Sequence, residues 1–300
     1  MCFLAGGLMR VGINRGGVER ITGMSWAQAL INGIIQGLTE FLPVSSSGHL
    51  VIYNTLVGGA GSDNLAFTVF LHFATLLAVV LVYYKDVWLL IRELVGAVAD
   101  IIKGKPNFKT PKRRYLLMVI IATIPAAIAG VGVKALGLDA LLENIFVVAI
   151  MLIVTAVFMF LIDRLSTGKL TIGNAPYSKG LIVGLLQAVA ILPGLSRSGS
   201  TIFGGVLGGL RKEYAVRFAF ILSIPTILGA VVVELGGAMK AGGMGIPGGD
   251  LVIGFFAALI CGIVAIRVIR LLMNSNKFYI FGIYCLCASA FAFLVGFGVI

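Results

Sequence analysis

The feature that most constrains this chain is the recurrence of apolar runs about 20 residues long, the length a helix rising 1.5 Å per residue needs to cross roughly 30 Å of hydrocarbon. Runs at 65–84, 115–134, 144–163, 214–236, 251–271 and 278–299 read as full spans, about six crossings in all. Strand-like alternation of period two is missing, which argues against a membrane barrel. With 59% hydrophobic and 12% charged residues, the chain lies far from the soluble norm of about 45–50% apolar and about 25% charged. A water-soluble fold could not cover that much apolar surface, so the expected class is an all-α integral membrane protein.

The formal net charge of +11 does not mark a nucleic-acid binder, because the Lys and Arg residues sit in loops between apolar runs instead of forming one basic face. The segment 85–114 holds Lys85, Arg92, Lys103, Lys105, Lys109, Lys112, Arg113 and Arg114, which the positive-inside rule places in the cytoplasm. Within it, 87–102 reads as an amphipathic helix on that surface. Arg164, Lys169, Lys179, Arg211, Lys212, Arg270 and Lys277 flank later spans on the same side, whereas loops 135–143 and 237–250 are poor in positive charge and go outside. Cys261, Cys285 and Cys287 lie in apolar segments and, like Cys2, lack zinc-site spacing, so they read as small apolar residues. His49 and His72 are the only histidines, which excludes a histidine-rich metal site. Residues 1–23 read as an N-terminal appendage with Met24 as a candidate initiator, and 24–300 as a single membrane domain.

Two further apolar stretches, 27–57 and 177–210, each carry a proline and a run of Ser, Gly and charged residues in the middle. As one straight helix the first would be roughly 46 Å long, too long for the hydrocarbon. The two also resemble each other. Gly33-Ile-Ile-Gln36 matches Gly184-Leu-Leu-Gln187, and Leu42-Pro43 followed by Ser47-Gly48 matches Leu192-Pro193 followed by Ser198-Gly199, with a one-residue slip. About three spans follow each, giving repeats at about 24–165 and 175–300. If both broken stretches are re-entrant, every loop charge is satisfied at once. An odd number of crossings per repeat then inverts the second relative to the first, and the two broken helices meet near the bilayer midplane.

The first break places Gln36 and Glu40 four apart on one helix face, then Pro43 to stop that helix, then Ser45, Ser46, Ser47 and His49. An ionised Glu at membrane depth costs on the order of 3 kcal/mol unless paired or hydrated, so it marks a functional site. The plainer alternative is a helix cap with an interfacial Glu and His. The second break sets Ser196, Ser198, Ser200 and Thr201 around Arg197 at the start of a glycine-rich helix. Free backbone N–H groups beside a guanidinium fork make a phosphate cradle, without the Gly-Lys-Ser/Thr order of a nucleotide P-loop. Its plainer alternative is close helix packing with Arg197 snorkelling to the interface. Together the breaks supply an acid, an imidazole, hydroxyls and a phosphate-binding cation, the parts of a phosphoryl-transfer site with a hydroxyl nucleophile. A nucleophilic imidazole also fits. Membrane burial implies a lipid phosphate substrate.

The runs Gln-Gly-Leu-Thr-Glu-Phe-Leu-Pro-Val-Ser-Ser-Ser-Gly-His at 36–49 and Leu-Pro-Gly-Leu-Ser-Arg-Ser-Gly-Ser-Thr at 192–201 resemble the two signatures of the bacitracin-resistance-type undecaprenyl-pyrophosphate phosphatases, and the likeness extends from about Met24 to the C-terminus. The resemblance implies hydrolysis of undecaprenyl pyrophosphate to undecaprenyl phosphate and inorganic phosphate, recycling the lipid carrier for cell-wall synthesis and conferring bacitracin resistance. It also implies a divalent cation (Mg2+ or Ca2+) and a bacterial cytoplasmic membrane location with the site opening outward. By motif position Glu40, Ser46, His49 and Arg197 are the expected catalytic residues, with Ser46 as nucleophile and His49 as acid/base. Gln36, Ser45, Ser47, Ser196, Ser198 and Thr201 are the expected substrate contacts, and Glu40 the metal ligand. The family often has Glu where this chain has Gln36, which removes one carboxylate from cation binding. Expected partners are the lipid pyrophosphate and membrane lipids, not nucleic acid, with a homodimer left open.

The rival function is an inverted-repeat secondary transporter or lipid-phosphate flippase, which needs binding groups but no nucleophile beside an acid/base; a structural scaffold is a third class. His72 reads as a packed or hydrogen-bonded span residue, Glu234 as interfacial, and Arg217 and Arg267 as lining the cytoplasmic ends of spans.

Overall fold

A computed structural model describes residues 26–57, 65–105, 107–137, 142, 144–240, 248–273 and 275–300. Residues 1–23, Met24, the side chain of Glu234, and residues 138–141, 143 and 241–247 of loops 135–143 and 237–250 lie outside the described set. Among the described residues the chain is helical: α1 (Trp26–Phe41), α2 (Ser46–Val57), α3 (Leu65–Val82), α4 (Tyr84–Ile102), α5 (Pro111–Ala135), α6 (Ile145–Leu165), α7 (Tyr177–Val189), α8 (Arg197–Leu207), α9 (Lys212–Lys240), α10 (Gly248–Leu272) and α11 (Tyr279–Gly296). The expected spans correspond to α3, α5, α6, α9, α10 and α11. Five are long and apolar enough to cross alone; α3, an apolar helix of 18 residues, is followed by α4 after a bend of 89°. The broken stretches are helix pairs, α1–α2 and α7–α8. At 12, 13 and 11 residues, α2, α7 and α8 fall short of the roughly 20 a crossing needs.

The helices pack by exchange. α1, from the first half, lies against α10 of the second, and α7, from the second half, lies against α5 of the first; α3 meets α9 and α6 meets α11 across the middle. Swapping α1 with α7, α3 with α9, α5 with α10 and α6 with α11 maps each of these contacts onto another or onto itself, as an inverted repeat requires. Lipid tails are as apolar as the helix faces, so association rests on close packing and polar contacts. Glycines supply the closeness. A Cβ on Gly33 would lie 2.5 Å from Gly254 O, one on Gly37 2.5 Å from Ala258 O, and one on Gly184 2.6 Å from Ala122 O.

The interior is centred on α6 and α9, where Leu152, Met159, Phe218, Phe220 and Leu222 are fully buried. Many cations assigned to the cytoplasmic side gather in polar ties between helix ends. Lys212 Nζ reaches Asp163 at 3.0 Å, joining the start of α9 to the end of α6. Arg217 Nε donates to Asp86 at 3.1 Å, and Arg270 stacks over Tyr83, 5.6 Å from its ring centre. Arg217 therefore sits at a span end, as expected, and closes on the α3–α4 corner.

Candidate active site

Both breaks are built on one local device. In the first, α1 ends at Phe41, Pro43 follows in the turn, and Ser45 adopts the left-handed conformation at φ 71°. Its hydroxyl accepts from Gly48 N–H at 3.2 Å and meets Ser47 Oγ at 3.3 Å, capping α2. In the second, the left-handed residue is Gly194 at φ 89°, and Ser196 caps α8 by accepting from Gly199 N–H at 3.1 Å while meeting Ser198 Oγ at 3.1 Å. From the proline to the capping serine the second break has one residue more than the first, and from the glutamine to the proline one fewer. The added residue lets Gly194 carry the backbone reversal that Ser45 must make itself, at a cost of order 1 kcal/mol for a residue with a Cβ. In structural register Ser45 matches Ser196, Ser46 matches Arg197, and His49 matches Ser200.

The two caps meet back to back. A Cβ on Gly48 would come within 3.0 Å of Gly194 Cα, and Ser198 Oγ donates to Leu42 O at 3.2 Å. The first residue of each capped helix then reaches one carboxylate. Glu40 is buried at the end of α1; its Oε1 pairs with Arg197, while its Oε2 accepts from Ser46 Oγ at 2.8 Å and from Gln36 Nε2 at 2.9 Å. Burying a carboxylate is costly unless it is paired and hydrogen-bonded, and here both oxygens are engaged. Within the Gln36–Glu40–Ser46–Arg197 cluster, Gln36 Oε1, an acceptor, and Arg197 Nη1, a donor, are buried without a hydrogen-bond partner.

Beside this cluster is a cavity of about 40 Å³ lined by Thr39, Glu40, Ser45, Ser46, Ser47, Ala190, Leu195, Ser196 and Arg197. It has room for a few waters or phosphoryl oxygens, not for a prenyl chain. Of the expected site residues, Glu40, Ser45, Ser46, Ser47, Ser196 and Arg197 line it. Gln36 acts behind it through Glu40. Ser198 bonds backbone across the breaks, and Thr201 Oγ1 donates back to Arg197 O and Ser198 O. His49 is absent from the lining. Its Nδ1 lies 2.7 Å from Ser45 O and its Nε2 2.7 Å from Tyr284 Oη, and the two rings stack at 5.5 Å. A carbonyl only accepts, so Nδ1 carries the proton and Nε2 of the neutral ring accepts from the Tyr284 hydroxyl. His72, in α3, stands within electrostatic range of Glu40.

Three residues on the third span of each half complete the frame, and the sequence did not single them out. Thr155 on α6 donates to Gly194 O at 2.9 Å and accepts from Ser196 N–H at 3.0 Å, pinning the second break. On α11, Cys285 Sγ donates to Pro43 O at 3.8 Å, so this cysteine contributes a weak polar contact beyond filling space, and its neighbour Tyr284 holds His49. A lone polar residue in an apolar span was the available signal.

The sequence model of the family described as "Bacitracin resistance protein BacA" matches residues 29–291, a range holding both breaks and all three frame residues. The chain belongs to that family. Relatives named "Undecaprenyl-diphosphatase" include one from Methanobrevibacter smithii, 40% identical over 277 residues that cover 90% of this chain and 98% of the relative. Another, from Alkaliphilus metalliredigens, is 37% identical over 262 residues, 87% and 95% of the two chains. A third, from Bacteroides thetaiotaomicron, is 37% identical over 272 residues, 88% and 97%. Membership of the BacA family therefore extends over the inverted repeat as a whole and is not confined to the motifs.

Proposed function

We propose that this chain is a multi-pass membrane phosphatase that hydrolyses undecaprenyl pyrophosphate to undecaprenyl phosphate and inorganic phosphate, returning the lipid carrier to cell-wall synthesis and conferring bacitracin resistance. The observation that carries the reading is the convergence of Ser46, Glu40 and Arg197 on one small cavity between the two breaks.

The chemistry follows from who touches whom. Ser46 Oγ is the nucleophile and Glu40 Oε2, already accepting its hydrogen bond, takes the proton as Oγ attacks the terminal phosphorus. The bridging P–O bond breaks, undecaprenyl phosphate leaves, and water then attacks the phosphoserine to release inorganic phosphate and restore Ser46. Arg197, with a spare Nη1–H, and the hydroxyls of Ser196 and Ser47 hold the phosphoryl oxygens as charge builds. His49, held between Ser45 O and Tyr284 Oη, stands outside the cavity lining, where the rest of the diphosphate must lie. It serves the leaving phosphate there, with Tyr284 as its positioning residue.

No group of three carboxylate, imidazole or thiol ligands exists among the described residues, so a cage made by protein alone does not fit. A hard cation shared with the substrate does: Glu40 would hold it on the protein side, and the diphosphate would offer the other oxygens. Bound there, Mg2+ or Ca2+ supplies neutralisation of phosphate charge. We place the protein in the bacterial cytoplasmic membrane with the cavity opening outward, on the side opposite the cationic helix ends. The test is phosphate release from a long-chain prenyl pyrophosphate by the purified protein in detergent, with and without divalent cation and with no gradient. Release in that setting supports a phosphatase; none from well-folded protein leaves transport.

A further inference from the structure

Helix α4 is set nearly perpendicular to α3, at 89°, and its surface divides into three strips. At 100° per residue, Trp88, Ile91, Val95, Val98 and Ile102 fall within a stripe about 80° wide, and all are exposed, Trp88 at 62% and Val95 at 64%. On the opposite side stand Asp86, Glu93 and Asp100, seven apart. Each is matched by a cation from another helix: Asp86 by Arg217, and Glu93 and Asp100 by Arg113 at 2.8 and 2.9 Å. Between stripe and acids runs an edge of exposed Lys85, Arg92 and, just past the helix end, Lys103. None of these has a carboxylate partner among the described residues, and Lys105 follows them. The acids are consumed in fastening α4 to α5 and α9, so the charge left to face outward is positive and borders an apolar strip.

We propose that α4 lies in the interface of the cytoplasmic leaflet and binds anionic lipid headgroups along the Lys85–Arg92–Lys103 edge. An in-plane helix with an apolar face and a basic border sinks into the headgroup boundary, and each Lys or Arg near the surface adds attraction for anionic lipid. The right angle at Tyr83 sets α4 parallel to the membrane if α3 crosses it, and Trp88 sits at the depth aromatic residues favour.

The chain has two tryptophans, so Trp26→Phe leaves Trp88 as sole reporter. That variant is reconstituted into phosphatidylcholine vesicles containing the same fraction of either brominated phosphatidylglycerol or brominated phosphatidylcholine. The expected result is strong quenching by both, with the anionic lipid enriched about fivefold around Trp88 at low salt. The preference disappears in Lys85→Gln/Arg92→Gln/Lys103→Gln while quenching by the neutral lipid persists. Equal quenching by both lipids before the edge is altered overturns headgroup recognition. Quenching by aqueous acrylamide overturns membrane contact. Shielding from both acrylamide and bromolipid means that protein, a second copy or another partner, covers the stripe, and overturns the proposal.

Discussion

The two breaks share a cap, a proline and a serine pair, and differ at the residues that face each other. Where the first has Glu40 the second has Ile191, and where the first opens its second helix with Ser46 the second opens with Arg197. The duplicated scaffold makes two helix N-termini converge; the departures from duplication place one acid, one hydroxyl and one cation at the point of convergence. Symmetry provides the geometry here, and its violation provides the reactivity.

The sharpest way to break the comparison is to remove the residue each break contributes. Ser46→Ala deletes the nucleophile of the first, and phosphate release under saturating substrate falls by a factor on the order of 10³ or more, while thermal stability in detergent changes little. A retained rate within tenfold of the parent would falsify Ser46 as nucleophile. Arg197→Ala removes the second break's cation and strands Glu40 in the interior, costing about 3–5 kcal/mol on unfolding along with activity. Arg197→Lys recovers much of that stability but little of the rate, because an ammonium lacks the fork that spans carboxylate and phosphate.

Smaller effects sharpen the contrast between the frames. Thr155→Val deprives Gly194 O and Ser196 N–H of their shared partner and lowers stability by about 1–3 kcal/mol. Cys285→Ala, at the corresponding place by the first break, loses only a weak thiol donor and costs less. Equal losses would show that the frames are not distinguished by these bonds. Ser45 separates cap from strain. Ser45→Ala keeps the left-handed backbone without the cap and destabilises by about 1 kcal/mol; Ser45→Gly relieves the strain and is close to neutral. Least of all, Tyr284→Phe lowers kcat by less than about tenfold. With two histidines in the chain, 15N-histidine labelling reads His49 directly, and its Nε2 resonance shifts when the hydroxyl is lost.

Spans and breaks were legible because hydrocarbon thickness imposes a length on apolar runs and because Pro43, Pro193 and the serine clusters interrupt them visibly. The matched Gln36 and Gln187 and the paired Leu-Pro and Ser-Gly steps marked a repeat, and an odd number of crossings in each half made it an inverted one. The exchange of α1 onto α10 and α7 onto α5 was not legible, since Gly33, Gly37 and Gly184 work by lacking a side chain and name no partner. Within the site, Ser46 and His49 are three apart on α2, a spacing that suggests contact. The imidazole instead turns to Ser45 O and Tyr284 because both acceptor and donor are there at 2.7 Å, and Glu40, six residues before Ser46, comes to the hydroxyl across the turn. Thr155 and Tyr284 escaped notice, and Cys285 read only as a small apolar residue, because one polar atom in a span leaves no period to detect.

The ion pair between Glu40 and Arg197 joins residues 157 apart in the chain, and that distance governs biogenesis. Ribosomes deliver the first half to the insertion machinery well before Arg197 has been made, so α1 must wait with an uncompensated carboxylate and an uncovered glycine face. The cation that pairs with Glu40 and the helix that covers the α1 glycines therefore arrive only with α8 and α10. Severing the chain between α6 and α7 and supplying both pieces together should restore hydrolysis, whereas either piece by itself should be degraded as an orphan.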